Sequence, residues 1–168
     1  MNRKSAIPVV AAIAATFLLA TVALAEEKGI DWKVLEGAKV SLEKGLAAAQ
    51  QKGKPISGKF EMEYGKLQLS VYTASQGKFW EVIVDHASGK VSKTEEIKEG
   101  EDLSAAKAQS EAMAKAKKSL SSAVQKAAAS NAGYRAVSVV PTLEQGKPVA
   151  TVVLQNATGS KTVSKSLD

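Results

Sequence analysis

The chain has a single histidine, and it directly follows an acid: Asp85-His86, with Ser88 two residues on. Serine, histidine and a carboxylate are the parts of a nucleophilic triad, in which the imidazole must reach both partners. Asp85 and His86 close the apolar run Phe79-Trp80-Glu81-Val82-Ile83-Val84, and neighbouring residues of a strand point to opposite faces. Ser88 could approach His86 only through a turn. The spacing fits the end of a strand better than a hydrolase, so no catalytic residue is assigned and the chain is read as non-enzymatic. Metal chemistry needs clustered His, Cys or carboxylates, and there is no cysteine. The acidic run Glu95-Glu96, Glu99, Glu101, Asp102 lacks EF-hand spacing and is broken by Lys98, so it reads as a solvated linker. Glu61 and Glu63 share one strand face and could hold a cation if a third ligand joined them. Gly53 to Lys59 matches G-x-x-x-x-G-K, but Phe60 stands where a hydroxyl should hold magnesium, and the loop leads into a strand rather than a helix. Asn156-Ala157-Thr158 reads as a turn. No metal or cofactor is assigned. Phe79, Trp80, Glu61 and Glu63 remain as the candidate binding surface.

The elements that must position these residues begin after a targeting segment. Asn2-Arg3-Lys4 precedes an apolar run from Ile7 to Leu24, and Ala23-Leu24-Ala25 offers a small-x-small cleavage site. Residues 1–25 read as a secretory signal peptide, which places the protein in the periplasm or outside the cell. A retained segment would be a membrane anchor, the one membrane contact expected. Without Arg3 and Lys4, two of the 23 basic residues go and the 17 acids stay, so the net charge falls from +6 to +4. The lysines are scattered and no basic-aromatic array appears, so nucleic acid is not an expected partner. Aromatics are only 5% of the chain, so the core must be thin and padded with alanine.

Residues 26–40 read as a lead-in that packs Trp32 and Leu35 onto the body. Ser41 to Gln51 reads as a helix, capped by Ser41 and stopped by Gly53 and Pro55. From Gly58 the period becomes two, which predicts an antiparallel meander broken at Gly-Lys steps, with strands ending near Tyr64, Val71 and Asp85 and a further one at Val91 to Thr94. Residues 95–102 read as a linker. Leu103 to Ser130 reads as one long helix, capped by Asp102 or Ser104. Three more strands follow: Tyr134 to Val140, stopped by Pro141; Pro148 to Leu154; and Thr162 to Leu167.

The two halves look like copies. Ser41-Leu42 and Gly45-Leu46 echo Ser119-Leu120 and Ala123-Val124, and Lys78 to Asp85 is set against Lys161 to Asp168. On that register Asp85 reappears as Asp168. The expected fold is α+β, with two modules, each a helix and a three-stranded antiparallel sheet, packed together: module 1 at residues 41–94, and a long helix with module 2 at 103–168.

In this order of parts, and in the closing phrase FWEVIVDHASGKV, the chain resembles the PepSY domain family. Asp85, Ser88, Gly89 and Val91 fall on that family's closing strand and Thr/Ser-Gly turn. The resemblance covers residues 41–94 and, more loosely, 119–168. It implies a structural role for those four residues, no catalytic site, and a stand-alone exported protein that binds a protein or peptide of the cell envelope. A peptidase to be inhibited or regulated is the partner it suggests. The alternative from the residues themselves is a periplasmic ligand- or cation-binding protein. The oligomeric state is left open.

Overall fold

The computed structural model describes residues 29–168; the expected signal peptide at 1–25 and the first residues of the lead-in lie outside them. The described chain runs α1 (Trp32–Glu36), α2 (Leu42–Ala49), a 3-10 turn (Gln50–Lys52), β1 (Lys54–Glu63), β2 (Lys66–Ser75), β3 (Lys78–Val84), β4 (Val91–Ile97), α3 (Gly100–Lys115), α4 (Leu120–Ala129), β5 (Arg135–Glu144), β6 (Lys147–Asn156) and β7 (Gly159–Ser166). No helix among the described residues is long and apolar enough to cross a membrane.

The strands form one antiparallel sheet in the order β4-β3-β2-β1-β5-β6-β7. This corrects the expected pair of separate three-stranded modules. β1 and β5 join through Gly58↔Val139 and Lys59↔Ser138, so both halves share one sheet and one core. The physical reason lies in the thin composition: neither half has enough apolar surface to cover a sheet of its own.

Three hairpins turn on two residues with positive φ, Tyr64-Gly65, Gln76-Gly77 and Gln145-Gly146. That geometry suits the right-handed twist of the strands it joins. Alternation then sorts the side chains. Leu69, Val71, Val82, Val84, Val139, Val152 and Leu154 are buried on one face. There α2 lays Leu42, Leu46 and Ala49, and α4 lays Leu120, Val124 and Ala127, side by side over them. The helix comes close because Gly45 lacks a side chain: a Cβ there would stand 2.6 Å from Leu69 Cδ2.

α3 crosses the opposite face. Gly58 faces α2, since a Cβ on it would meet Leu46 and Leu42. Its neighbour Ser57 therefore faces away, and Ser57 Oγ donates to Gln109 Oε1 of α3 at 2.7 Å. The expected single helix from Leu103 to Ser130 is thus two helices on two faces. Ala116 is extended, Lys117 and Lys118 donate to the Leu167 carbonyl, and Ser119 caps α4. Alanine-rich helix propensity is overridden because the chain must pass around the end of the sheet. Residues 95–102, read as a linker, hold the end of β4 and the first turn of α3. α3 starts at Gly100 behind Glu99, which makes no side-chain cap bond, so neither Asp102 nor Ser104 caps it. β5 also runs through Pro141, which pairs with Ala150 beyond the short β1–β5 ladder, where a missing N–H costs little.

The internal repeat is present inside the single sheet, with a different strand register. The hairpin pair Glu63↔Lys66 recurs as Glu144↔Lys147, and Ser75↔Lys78 as Asn156↔Gly159, each 81 residues later. A bulge at Ile56 recurs at Val137. The pair Gly58↔Val139 maps onto itself under this shift, so a pseudo-twofold passes through it. On this register Ser166 takes the place of Asp85, and Leu167 takes that of His86. The expected match of Asp85 to Asp168 was therefore two residues out. A slip of two leaves every side chain on its own face, so alternation could not detect it.

Candidate functional site

Asp85 and His86 are fixed as parts of a turn. Asp85 Oδ1 accepts from Ala87 N at 3.2 Å and from Ser88 N at 2.6 Å, and hydrogen bonding from the Ser88 side chain, then from Ser88 N and Ala87 N, holds its carboxyl below the ordinary aspartate range. Gly89 closes the turn at φ +77° and donates to the Asp85 carbonyl. The His86 carbonyl accepts from Lys39 N and Val40 N at 2.9 and 3.0 Å. The Leu167 carbonyl accepts from Lys117 N and Lys118 N at 2.8 and 3.0 Å, so the second half repeats the device without an imidazole. What the position supplies is a backbone carbonyl. Val91 opens β4 opposite Val84.

The four candidate surface residues do not converge. Phe79 and Trp80 are half-buried on opposite faces of β3, Phe79 opposite Ile97 and Trp80 opposite Glu96. Trp80 lines an open groove of about 210 Å³ with Lys52, Gln76, Lys78 and Thr94, and Lys78 Nζ lies 5.9 Å from its ring centre. Glu61 lies in β1 and belongs to a polar layer on the α3 face. It pairs with Lys59 at 2.6 Å and accepts from Ser70 Oγ at 2.7 Å. Beside it Tyr72 donates to Glu81 at 3.2 Å, and burial, then the charges of Glu81 and Glu61, push its phenol above the ordinary tyrosine value. Glu63 is exposed next to the β1–β2 turn. Among the described residues no three His, Asp or Glu side chains gather in a way that could hold a metal ion.

Sequence reasoning missed Arg135. Its guanidinium donates to the carbonyls of Leu35 (3.2 Å), Ala38 (2.8 Å) and Val40 (2.5 Å), and it lies 5.2 Å from the Phe60 ring centre. Burial lowers its pKa, and Glu43 opposes that shift. Lys54 stands 81 residues earlier and does the same for the second half: its Nζ donates to the Met113 carbonyl at 2.6 Å. Each half thus contributes a cation that clamps the segment leading into the other half's helix.

The remaining feature is the asymmetry at the sheet edges. Among the described residues the shift that maps β1, β2 and β3 onto β5, β6 and β7 finds no counterpart of β4. β4 covers the outer side of β3. Among the described residues nothing covers the outer side of β7. In a two-residue hairpin the residues flanking the turn form a hydrogen-bonded pair, and such pairs alternate along the ladder. Counting from Asn156↔Gly159, Lys161, Val163 and Lys165 bond to β6, while the backbone groups of Ser160, Thr162, Ser164 and Ser166 point outward. β4 carries charges of both signs, in the ion pairs Lys93–Glu95 at 2.7 Å and Lys78–Glu96 at 3.3 Å. β7 carries Lys161, stacked 4.0 Å from the Tyr134 ring centre, and Lys165, neither in an ion pair among the described residues.

Comparison with family models, curated proteins and solved structures finds no match to the chain.

Proposed function

We propose that the protein is a non-enzymatic binder of an extended polypeptide segment, which adds to the outer edge of β7 as β4 adds to β3. The observation that carries this reading is the row of backbone groups that β7 turns outward, which nothing covers among the described residues. The first half shows that a strand fits against the outer side of β3, and β7 repeats β3 in place and direction. Main-chain hydrogen bonds from an eight-residue edge would supply affinity, and alternate side chains would supply selectivity. With Lys161 and Lys165 flanking Val163 on one face, the preferred segment is acidic-apolar-acidic at alternate positions. The export signal expected at residues 1–25 supports a cell-envelope partner, and the PepSY resemblance supports a peptidase in that role.

The test is titration with a seven-residue peptide that alternates threonine with Glu, Val and Glu. Calorimetry should show binding that weakens with salt. Ser164→Pro removes an outward N–H without touching the β6–β7 ladder, and should abolish binding with little change in melting temperature. Lys161→Glu with Lys165→Glu should reverse the preference towards a lysine-bearing peptide. Binding that survives both changes would place the site elsewhere.

A further inference from the structure

We infer that β4 is a self-recognition edge, through which two copies of the chain join their sheets about a twofold axis at Thr94. Which backbone groups are free follows from the ladder. Counting pairs from the β2–β3 turn, Phe79, Glu81 and Ile83 exchange hydrogen bonds with Ile97, Glu95 and Lys93. Thr94 and Glu96 therefore turn their backbone N–H and C=O groups outward. Two antiparallel copies of one edge are related by an axis perpendicular to the sheet, so each residue must oppose one on the same face. The strand can then be centred only on one of its own residues.

Charge selects among those centres. Centring on Lys93 sets Lys93 against its own copy, and centring on Glu95 or Glu96 does the same with a carboxylate. Centring on Thr94 opposes Thr94 to Thr94 in a hydrogen-bonded pair and Lys93 to Glu95 on both sides of it. Those two flanking pairs are non-hydrogen-bonded, the kind in which facing side chains come closest. Lys93 and Glu95 both project on the α3 face, opposite Ile83 and Glu81. Their present 2.7 Å pair is made along one strand and is more than half exposed, so exchanging it for a pair across the axis loses little. The ladder reaches Ser92 opposite Glu96 and stops at the bulge between Ile83 and Val84. β7 offers no such register, since it has two lysines and no acid. A pair of five-residue strands is a small interface, so the dimer forms in a concentration-dependent equilibrium. It leaves both β7 edges free at the ends of a fourteen-stranded sheet, and it does not depend on what β7 binds.

Sedimentation equilibrium of the purified full chain over a range of concentrations tests this. The wild type should dimerise reversibly, less so at high salt. Lys93→Glu and Glu95→Lys each turn two attractive pairs into two repulsive ones, so each should weaken the dimer about tenfold or more. In a mixture of the two single variants, both carboxylates of the first variant face both ammonium groups of the second across the axis. The mixture should therefore regain association, as a heterodimer. The double variant Lys93→Glu/Glu95→Lys should restore self-association. A chain that stays monomeric throughout, or self-association that the single variants leave unchanged, or mixed variants that fail to associate, would each overturn the inference.

Discussion

Removing the Arg135 side chain should be among the most damaging single changes to the fold. Arg135→Ala deletes three hydrogen bonds to the carbonyls of residues 35, 38 and 40 and uncovers the ring of Phe60. A hydrogen bond to a charged group contributes about 1.5–3 kcal/mol. Three bonds from one guanidinium do not add in full, because its burial already costs solvation and solvent screens a half-exposed charge. A loss of about 2–4 kcal/mol is the reasoned range. For a fold of this size that lowers the melting temperature by about 8–16 °C. The molecule supplies its own comparison: Lys54, at the equivalent position, reaches one carbonyl. Arg135→Lys should therefore keep one bond of three and lose about half as much, ~1–2 kcal/mol. Urea unfolding followed by far-ultraviolet circular dichroism gives the totals. Hydrogen exchange at Lys39 and Val40, whose amides bond to the His86 carbonyl, shows whether the lead-in loosens first. An alanine variant within about 0.5 kcal/mol of wild type would refute the clamp, and a lysine variant equal to wild type would refute the role of the three-way fork.

Four further outcomes follow from the same geometry. Gly45→Ala should destabilise by about 1–3 kcal/mol in urea melts despite better helix propensity, because its Cβ would overlap Leu69. Asp85→Ala should speed hydrogen exchange at Ala87 and Ser88. The folded carboxyl titrates below its unfolded value, so the turn's stabilisation is full above the unfolded aspartate value and is lost as pH falls through the folded one; the effect of the substitution should vanish there. Tyr72 has a raised phenol pKa, so its contribution is full below the unfolded tyrosine value and is lost as pH rises towards the folded one. Alkaline difference absorbance between wild type and Tyr72→Phe should then show no tyrosinate from this residue until the protein unfolds. His86→Ala should leave the fold's stability within about 0.5 kcal/mol, since a backbone carbonyl makes the contacts that matter; a larger loss in thermal melts would assign the imidazole a part of its own.

Local order was legible in the sequence and long-range joining was not. Ser41 as a cap, the Gly-Lys hairpin breaks and the buried pairs Gly45-Leu46 and Ala123-Val124 all follow from short-range chemistry. The β1–β5 seam did not show, because Gly58 and Lys59 carry no mark that distinguishes a central strand from an edge. The break at Ala116 was hidden for the opposite reason: alanine and lysine favour helix through that stretch, and the path of the chain decides against it. Arg135 looked like one scattered cation among 23, since nothing local reveals three carbonyls about 95–100 residues away. That the candidate surface residues do not converge was hidden on the same ground. Glu61 and Glu63 were chosen by sharing a strand face, but Lys59 and Ser70 had already engaged one of them.

The two unlike edges give the repeat a functional sense. Duplication about the Gly58↔Val139 axis would make both ends of the sheet alike, and a sheet with two equal open edges polymerises as readily as it binds anything else. Among the described residues only the first copy carries a fourth strand. Its Lys93-Thr94-Glu95 sequence matches itself in one register and sets like charges, or no charge pair, in the neighbouring ones, so under the proposed pairing growth on that side would stop at two copies. The other end keeps β3's geometry, uncovered among the described residues, and it replaces Trp80 and Val84 with Lys161 and Lys165. Two lysines make self-pairing of that edge unattractive and favour an acidic strand. One edge is thus suited to its own kind and the other to a different chain, which is what a bivalent binding protein requires. The order of binding provides the check: if the edges act independently, the β4 charge variants should leave the affinity for the acidic peptide unchanged while altering the number of peptides held per particle.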